Sequence, residues 1–451
     1  MKLDWKRTFL LGFGFLGVSL MWALYNTYVP IYLQAGHPAF DAKQAARTLG
    51  FGLGPAVTGF IMTLDNIAAF FIQPLIGMWS DRTYTRLGRR MPYIVAATPV
   101  AMVAFALIPV APLLIPQHLS GNLPQLTGPF AFFVGVAGVM LLAMAVFRTP
   151  VIALMPDIIP SPLRSKANGV INLMGGIGGV LAFLAGGALY KIYRPLPFWA
   201  GGAVMLAAVV VLLVFIKEPR ELVESAARGE GSVGLRRLFD GLRGLPRDDA
   251  RSLTFLILAI FSWFVGYNAI ETFFSSYGVS VLGVAEDTAG LMFSAAYISF
   301  IAFSIPSGYV ATRFGRRRTI LAGLIIFGAL LVVVYFLPNL YVAVGVLALG
   351  GMAWSLVNVN SLPMVVDTSP SETALGTYTG LYYVAGTLAA VVGPILNGWI
   401  VELADFNYNV IFIVTPAFFA LAILFMFAVT KGEVKEVSAT PATVSANQAD
   451  S

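Results

Sequence analysis

A glycine-flanked basic segment occurs twice in this chain, each time between two long apolar runs. The first copy runs from Gly77 to Arg90 and the second from Gly308 to Arg318. Charged turns of this kind fit at the ends of membrane-crossing helices, where arginines stay in water while the apolar runs enter the bilayer. Their repetition about half a chain apart predicts a membrane protein built by internal duplication.

The composition supports many membrane crossings. Of the 451 residues, 58% are hydrophobic and only 11% are charged, unlike a soluble globular protein. A helical span needs roughly 20 apolar residues, and we interpret the first apolar run as a span rather than a signal peptide. We expect an all-α membrane protein with twelve transmembrane helices in two pseudo-symmetric six-helix halves. The predicted spans are 8–33, 54–79, 91–115, 129–156, 167–190, 198–216, 253–278, 288–311, 318–337, 340–364, 376–401 and 410–430.

Residue types that often carry covalent or metal chemistry are scarce. The chain has no cysteine and only two histidines, His37 and His118, which both fall in predicted loops. Disulfides, thiolate metal sites and histidine relays inside the membrane are therefore not expected. No nucleophile–base pair is recognisable, so we expect neither an enzyme nor a metal or organic cofactor.

Basic residues are distributed unevenly between the two sides of the predicted bundle. An even number of spans places both termini on one side, and most of the 28 Lys and Arg residues lie on that side. The positive-inside rule makes this side cytoplasmic. Topology thus explains the net charge of +6 better than nucleic-acid binding does. We expect a multi-pass protein of the plasma or inner membrane with both termini in the cytoplasm.

One long polar stretch divides the chain. It predicts an N-terminal six-helix half over 1–216, a cytoplasmic linker over 217–252 and a C-terminal six-helix half over 253–430. The remaining segment, 431–451, lacks an apolar pattern and is predicted to be a disordered cytoplasmic tail.

Two further matches support the duplication. Tyr25 in the first predicted helix corresponds to Tyr267 in the seventh, and each is followed by an asparagine. Asp157–Pro160 corresponds to Asp367–Pro370. Two parallel halves that bind a solute between them near the midplane are one recurring plan of secondary transporters.

The spans, the middle loop and the paired basic segments resemble the major facilitator superfamily. The first basic segment is longer than the second, and its form over Ser80–Pro92 resembles plant and animal sucrose transporters. It also resembles the glycoside–pentoside–hexuronide cation symporters. Trp22–Tyr32, Gln73–Gly77 and Arg148–Asn168 support this branch, mainly in the N-terminal half. The second segment departs from the pattern, because Thr312 stands where an aspartate is common.

The resemblance implies proton-coupled symport of a sugar by alternating access. The expected substrate is a disaccharide such as sucrose, maltose or trehalose, and the protein is expected to act as a monomer in the lipid bilayer. Acidic pairs of the cation symporters correspond here to Ala69 and Gln73, which favours protons over sodium as the coupling ion. Two alternatives are kept: a facilitator or efflux carrier for another small solute, and a non-transporting sugar receptor with the same fold.

The basic segments have a functional and a topological interpretation. Asp81 can accept hydrogen bonds from an arginine or a helix N-terminus, and the glycines permit close approach of a neighbouring helix. The segments then form a cytoplasmic gate that closes in the outward-facing state; alternatively, the arginines only set topology. The candidate gate residues are Gly77, Asp81, Arg82, Gly88, Arg89, Arg90, Gly308, Arg313, Gly315 and Arg316.

Three charged side chains fall well inside predicted spans, namely Asp65, Arg148 and Glu271. A charge at mid-membrane costs about 2.5–3.5 kcal/mol on insertion scales and normally faces a cavity or a partner. Asp65 and Glu271 are candidates for proton coupling, with permanently paired structural carboxylates as the alternative. Arg148 stands where related sugar symporters have a sugar-binding acid, and we expect it to bond sugar hydroxyls or to neutralise Asp65.

Asp157 is a third candidate for proton coupling. It corresponds to an acidic residue near the cytoplasmic end of helix 4 in sucrose transporters. Its repeat copy, Asp367, favours a structural or gating role instead, so both interpretations are kept.

Sugar sites combine polar partners for hydroxyls with aromatic faces for the apolar side of the ring. Asparagines and aromatic residues at comparable depth therefore complete the predicted site, although each aromatic also fits a core or lipid-facing role. With Arg148, the candidates are Trp22, Tyr25, Asn26, Asn172, Tyr267, Asn268, Trp354, Asn358, Asn360 and Tyr382.

Overall fold

The computed structural model describes residues 4–41, 49–159, 164–218, 246–368 and 375–432. Within these ranges, 12 helices are long and apolar enough to cross a membrane, and none of the described residues forms a β-strand. The helices are α1 (Trp5–Gln34), α2 (Pro55–Asp81), α3 (Met91–Leu107, its span continuing through Val110–Leu113), α4 (Thr127–Ile158), α5 (Arg164–Ile192), α6 (Leu196–Phe215), α7 (Arg247–Ser280), α8 (Glu286–Phe314), α9 (Arg316–Phe336), α10 (Leu340–Val366), α11 (Leu375–Leu403) and α12 (Ile411–Phe427). The predicted twelve-helix architecture is confirmed.

Local sequence signals explain several helix ends. The Asp4 side chain caps α1 by accepting the Arg7 backbone N–H at 3.0 Å. Proline occupies the first turn of α2, α3 and α6, where its missing N–H needs no partner. Gly315, at φ 89°, separates α8 from α9 in a conformation that L side chains rarely adopt.

The linker predicted over 217–252 ends earlier than expected. The helix α7 begins at Arg247, so the residues from there to Ser252 are helical and continue into the span. Residues 219–245 of the linker and the predicted tail beyond Gly432 lie outside the described residues. The division into two halves and a linker stays a prediction.

Equivalent helices pack in equivalent ways in the first and second sets of six. The helix α1 packs on α5 and α6 as α7 packs on α11 and α12, and α2 packs on α4 as α8 packs on α10. The pairs α3–α4 and α9–α10 correspond in the same manner. This recurrence is what the duplicated sequence motifs predict.

Glycines allow the closest of these helix contacts. A Cβ on Gly178 of α5 would lie 2.2 Å from the backbone oxygen of Leu16 in α1. On the other side of the contact, a Cβ on Gly12 would lie 2.6 Å from the Met174 side chain. Small residues bring membrane helices close enough for van der Waals packing, which replaces the hydrophobic driving force that lipid removes.

We therefore expect Gly178→Val to destabilise the protein markedly, because the added methyls must push α1 and α5 apart. Overpacking of this kind costs about 1–3 kcal/mol or more. Gly135→Val is the matched control, since a Cβ there meets nothing within 4 Å. Thermal unfolding in detergent should show a lower midpoint for Gly178→Val alone; equal midpoints for the two variants would contradict the close α1–α5 contact.

Candidate functional site

The two halves meet mainly along three helix pairs: α1 with α7, α2 with α11, and α5 with α8. We call the end of the bundle that carries the start of α1 and the end of α12 the terminal end, and the other the opposite end. Three polar contacts join the helix ends of the two halves between described residues, and all three lie at the opposite end.

Glu286 joins α5 to α8 at the opposite end. It is only 8% exposed, and the Tyr190 hydroxyl donates a hydrogen bond to its carboxylate. The Arg194 guanidinium lies 3.8 Å from the same carboxylate. The Tyr190 ring also stacks on Tyr28 of α1, with centroids 4.2 Å apart. One buried carboxylate thus receives two donors from the N-terminal half.

Glu402 joins α2 to α11 at the same end, as Glu286 joins α5 to α8. Its Oε2 accepts the Ala56 backbone N–H at 3.2 Å, at the helix N-terminus where free N–H groups attract an anion. The helices touch directly nearby, because a Cβ on Gly59 would lie 2.2 Å from the Pro394 oxygen.

His37 contributes to the same end from the turn after α1. Its ring stacks on Phe406, with centroids 4.2 Å apart. Burial lowers the pKa of His37, against the opposing effect of the Glu402 charge, so a neutral ring is favoured at neutral pH. His118 is exposed in the loop before α4.

The space between the halves opens towards the terminal end. Arg148 on α4 is exposed, yet it lies within electrostatic range of Asp65 on α2 and Tyr383 on α11. Tyr383 itself is 59% exposed. A cation that faces helices of both halves and remains exposed indicates an opening between them rather than contact with lipid.

The structure brings the three predicted intramembrane charges into one cluster. Asp65 is half-buried and accepts a hydrogen bond from the Asn66 amide at 2.9 Å. Glu271 on α7 is also half-buried and is hydrogen-bonded by the side chain of Asn26 on α1. The two carboxyl groups interact electrostatically with each other, and Arg148 interacts with Asp65. The cluster therefore spans both halves.

A small recess lies beside Glu271, between α1, α5, α7 and α8. Its polar lining comes from Asn26, Thr27, Glu271 and Ser275, and aromatic rings complete it. Those rings belong to Phe183, Phe274, Phe293 and Tyr297. The Ser275 Oγ is buried without a hydrogen-bond partner in the described part of the chain, so it is available to a water or a ligand group.

Some of the other predicted sugar-binding residues are exposed or half-buried, and others form hydrogen bonds within the helix bundle. Asn172 is exposed on α5, and Asn358 is half-buried on α10. Asn268 donates to the Phe264 backbone oxygen at 2.7 Å, Asn360 donates to Ser307 Oγ at 3.0 Å, and Tyr382 bonds Ser361 Oγ at 3.1 Å. These last three bonds stay within the C-terminal half, which favours packing roles.

The aromatic candidates differ in the same way. Trp22 and Tyr25 meet edge to face on α1, with centroids 5.6 Å apart, and Tyr25 is 1% exposed. Tyr267 stacks on Trp354 at 4.1 Å with an interplanar angle of 2°. Trp354 is 5% exposed, whereas Tyr267 is half-buried.

Between described residues, three arginines of the basic segments form ion pairs within their own halves. Arg89 and Arg90 contact Asp157 at 2.6 and 3.1 Å, and Arg316 pairs with Asp367. These repeated pairs favour the structural interpretation of Asp157, and its role in coupling stays a prediction.

Glu218, just after α6, fixes the first basic segment further. Its carboxylate accepts the backbone N–H groups of Arg89, Arg90 and Met91, each at 2.9 Å. Gly88 must be glycine here, because its φ is 121° and a Cβ would lie 2.4 Å from the Glu218 carboxylate. The segment is therefore rigidly attached to the end of α6.

The remaining gate candidates have few close neighbours from other helices among the described residues. Gly77 is near Thr149 of its own half, and a Cβ on Gly308 would meet nothing within 4 Å. Arg82 and Arg313 are exposed. Asp81 ends α2, and its side chain lies outside the described part of the structure.

Sequence reasoning missed four side chains that shape the site: Glu218, Glu286, Glu402 and Tyr297. Each glutamate lies at a span end, where an acid is unremarkable without knowledge of the helix facing it. The Glu286–Asp287 pair opening α8 offered a weak signal, since acids there suit the helix dipole. Tyr297 lies in an apolar run and gave no signal.

The fold and the paired segments agree with a known family. A family model described as Major Facilitator Superfamily matches residues 11–285 and 280–448, nearly the whole chain. The chain belongs to the major facilitator superfamily. As a superfamily member with twelve candidate spans, it is an integral multi-pass membrane protein.

Curated relatives within the superfamily are similar over part of the chain. A sucrose transport protein of Arabidopsis thaliana is 28% identical over 178 residues, covering 38% of this chain and 27% of its own. The human proton-associated sugar transporter A is 26% identical over 176 residues, covering 38% and 21%. The general alpha-glucoside permease of Schizosaccharomyces pombe is 25% identical over 262 residues, covering 55% and 44%. The chain thus spans less than half the length of these relatives.

Solved structures of superfamily fold cover almost all of the chain. A D-xylose-proton symporter aligns with a TM-score of 0.66 at 16% identity, covering 94% of this chain and 97% of its own. A mutant of the nucleoside transporter NupG aligns with a TM-score of 0.67 at 15% identity, covering 94% and 100%. At such identity the likeness concerns the fold alone.

We expect Asp157→Asn to lower the free energy of unfolding by on the order of 3 kcal/mol, because it removes a carboxylate that both Arg89 and Arg90 contact in a mostly buried site. Asp367→Asn is the matched variant in the other half and should cost less, since Asp367 is 33% exposed against 12% for Asp157. Denaturation midpoints measure both. Unchanged stability of Asp157→Asn would remove its structural role.

Removing the acids of the opposite end should loosen its closure. The chain has no cysteine, so spin labels at Ile192→Cys and Leu403→Cys, both highly exposed, report the distance between halves. We expect Glu286→Gln with Glu402→Gln to increase the population at longer label distances.

The control for this measurement is Asp405→Asn. Asp405 is exposed at the same end, and its φ of 53° suits asparagine. A distance distribution identical in the double glutamine variant, the control and the parent would show that the two carboxylates do not hold this end closed.

Proposed function

We propose that the protein is a secondary active transporter that carries a sugar by alternating access, with protons as the coupling ion. The observation that carries the proposal is the cluster of Asp65, Arg148 and Glu271. These charges interact across the boundary between the halves, and the contacts of Glu286 and Glu402 join the halves at the opposite end. A receptor has no need of such charges, and a facilitator needs no titratable group.

The arrangement fits one of the two states of alternating access. We assign the terminal end to the cytoplasm, because basic residues concentrate there. The structure is then inward-facing: the opposite, external end is closed and the interior is reached from the cytoplasm. Rocking of the halves about the α1–α7 contact would open the external end and bring the basic segments together.

The coupling step follows from the cost of burying a charge. When the opening closes around the cluster, each carboxylate requires a cation partner, a hydrogen bond or a proton. Arg148 is available to Asp65, whereas Glu271 has the neutral amide of Asn26. Binding a proton at one of the two carboxyl groups would complete the charge balance and permit the halves to move.

The sugar assignment is supported by the relatives, whose names include sucrose, alpha-glucoside and proton-associated sugar transport. Polar groups and aromatic rings line the recess beside Glu271, as recognition of a polyhydroxylated ring requires. A disaccharide is our proposed substrate class, and Arg148 is its proposed partner in the N-terminal half. The protein is proposed to function as a monomer, without a resident cofactor.

We expect labelled sucrose, maltose or trehalose to accumulate in proteoliposomes, and an acidic exterior should accelerate this uptake. Asp65→Asn and Glu271→Gln should each abolish gradient-driven accumulation while leaving exchange of sugar across the membrane measurable, because the new amides cannot bind a proton in this pH range but can still form hydrogen bonds.

Asp405→Asn serves as the control carboxylate, because it is exposed and distant in sequence from the cluster. Uptake that ignores the pH gradient would eliminate the proton claim and favour a facilitator. Binding of sugar without any uptake would favour the receptor. If both cluster variants accumulate sugar like the parent, the assigned coupling residues are wrong.

A further inference from the structure

Trp354 lies at the centre of an aromatic cluster in the C-terminal half. Its ring is parallel to Tyr267 at 4.1 Å and to Phe419 at 6.2 Å. Phe264 meets it edge to face at 5.8 Å, and Phe327 approaches at 6.3 Å. With 5% of its surface exposed, Trp354 has no free face for a ligand, contrary to its candidacy as a direct sugar contact.

Tyr267 borders this cluster on the side of the central charges. One face of its ring is covered by Trp354, yet the residue is only half-buried. Tyr267 and Glu271 lie four residues apart on α7 and therefore share a helix face. They interact electrostatically, as does Tyr297 of α8 with Tyr267. Since Glu271 contacts Asn26 of α1, this face of α7 is turned to the other half.

The counterpart in the N-terminal half does not offer the same surface. Tyr25 corresponds to Tyr267 in the repeat, but it is 1% exposed and meets Trp22 edge to face at 85°. The duplicated tyrosines have thus diverged: Tyr25 is enclosed, whereas Tyr267 is half-buried on the face of α7 that carries Glu271.

We propose that Tyr267 is the stacking surface for a sugar ring and that Trp354 is a positioning residue that fixes its orientation. The inference rests on the proposed sugar transport and names the residue that recognises the ring. The apolar C–H face of a pyranose would lie on the Tyr267 ring, as carbohydrate faces pack on aromatic surfaces. Four residues of helix rise by about 6 Å, so a hydroxyl of the same sugar reaches Glu271. Ring recognition and the coupling carboxylate are thereby adjacent.

Equilibrium binding of sucrose, maltose and trehalose to the purified full chain tests this proposal. Tyr267→Leu should raise the Kd for sugar by about tenfold or more, because the stacking face is lost. Tyr267→Phe should keep Kd within about threefold, because the face remains, but should shift the pH profile of uptake, because the hydroxyl beside Glu271 is lost.

Trp354→Phe should raise Kd by an intermediate factor with little change in the unfolding midpoint, because a smaller ring orients Tyr267 less well. Tyr341→Leu is the control, since Tyr341 is 83% exposed on the first turn of α10. It should leave Kd unchanged.

The outcomes separate this inference from the proposed function. If the parent binds a sugar and Tyr267→Leu binds it equally well, the stacking role is wrong while sugar transport stands. If Tyr267→Phe loses as much affinity as Tyr267→Leu, the hydroxyl and not the ring face binds the sugar, which also overturns the inference. If the parent binds none of the three sugars, the sugar assignment fails and the stacking role with it.

Discussion

A charge between membrane helices must have a partner, and this constraint organises the molecule. Helices satisfy every backbone group in the hydrocarbon, so the apolar runs form twelve of them almost without exception. In the described part of the chain, the charged side chains well inside the spans lie where the halves face each other. Asp65 lies within electrostatic range of both Arg148 and Glu271 in that boundary, and the helices around them pack as two equivalent sets. The position of the candidate site thus follows from the boundary between the halves, where charged groups can find partners.

The contacts that close the opposite end and those that stabilise the basic segments use similar chemistry for different purposes. Glu402 accepts an N–H at the start of α2 between halves, whereas Glu218 accepts three at the start of α3 within one half. In the proposed rocking motion the first contact would break, and the second would move with the N-terminal half as one unit. Rigid segments and separable ends are both required for rocking motion.

The architecture was predictable from sequence because it depends on periodic and repeated signals. The spans follow from apolar runs, and the duplication follows from the paired basic segments. The interior position of Glu271 follows because acidic residues inside apolar spans are rare and face a cavity or a partner. The partners were not predictable, since Glu286 with Tyr190 and Glu271 with Asn26 join distant helices whose rotation no local pattern reports. Trp354 shows the same limit: its sequence position suggested a ligand contact, and its ring neighbours enclose it. The basic segments resembled those of the family, but their ion pairs with Asp157 and Asp367 and the contacts of Glu218 join residues far apart in the sequence.

The polar contacts described between the halves have a common direction. Asn26, Ala56, Tyr190 and Arg194 supply the donors from the N-terminal half, and Glu271, Glu286 and Glu402 supply the acceptors from the C-terminal half. Two related halves that share one fold are therefore complementary rather than self-complementary. A first half facing another first half would lack these three carboxylates, so the polarity of this boundary favours the pairing of unlike halves when the chain assembles in the membrane.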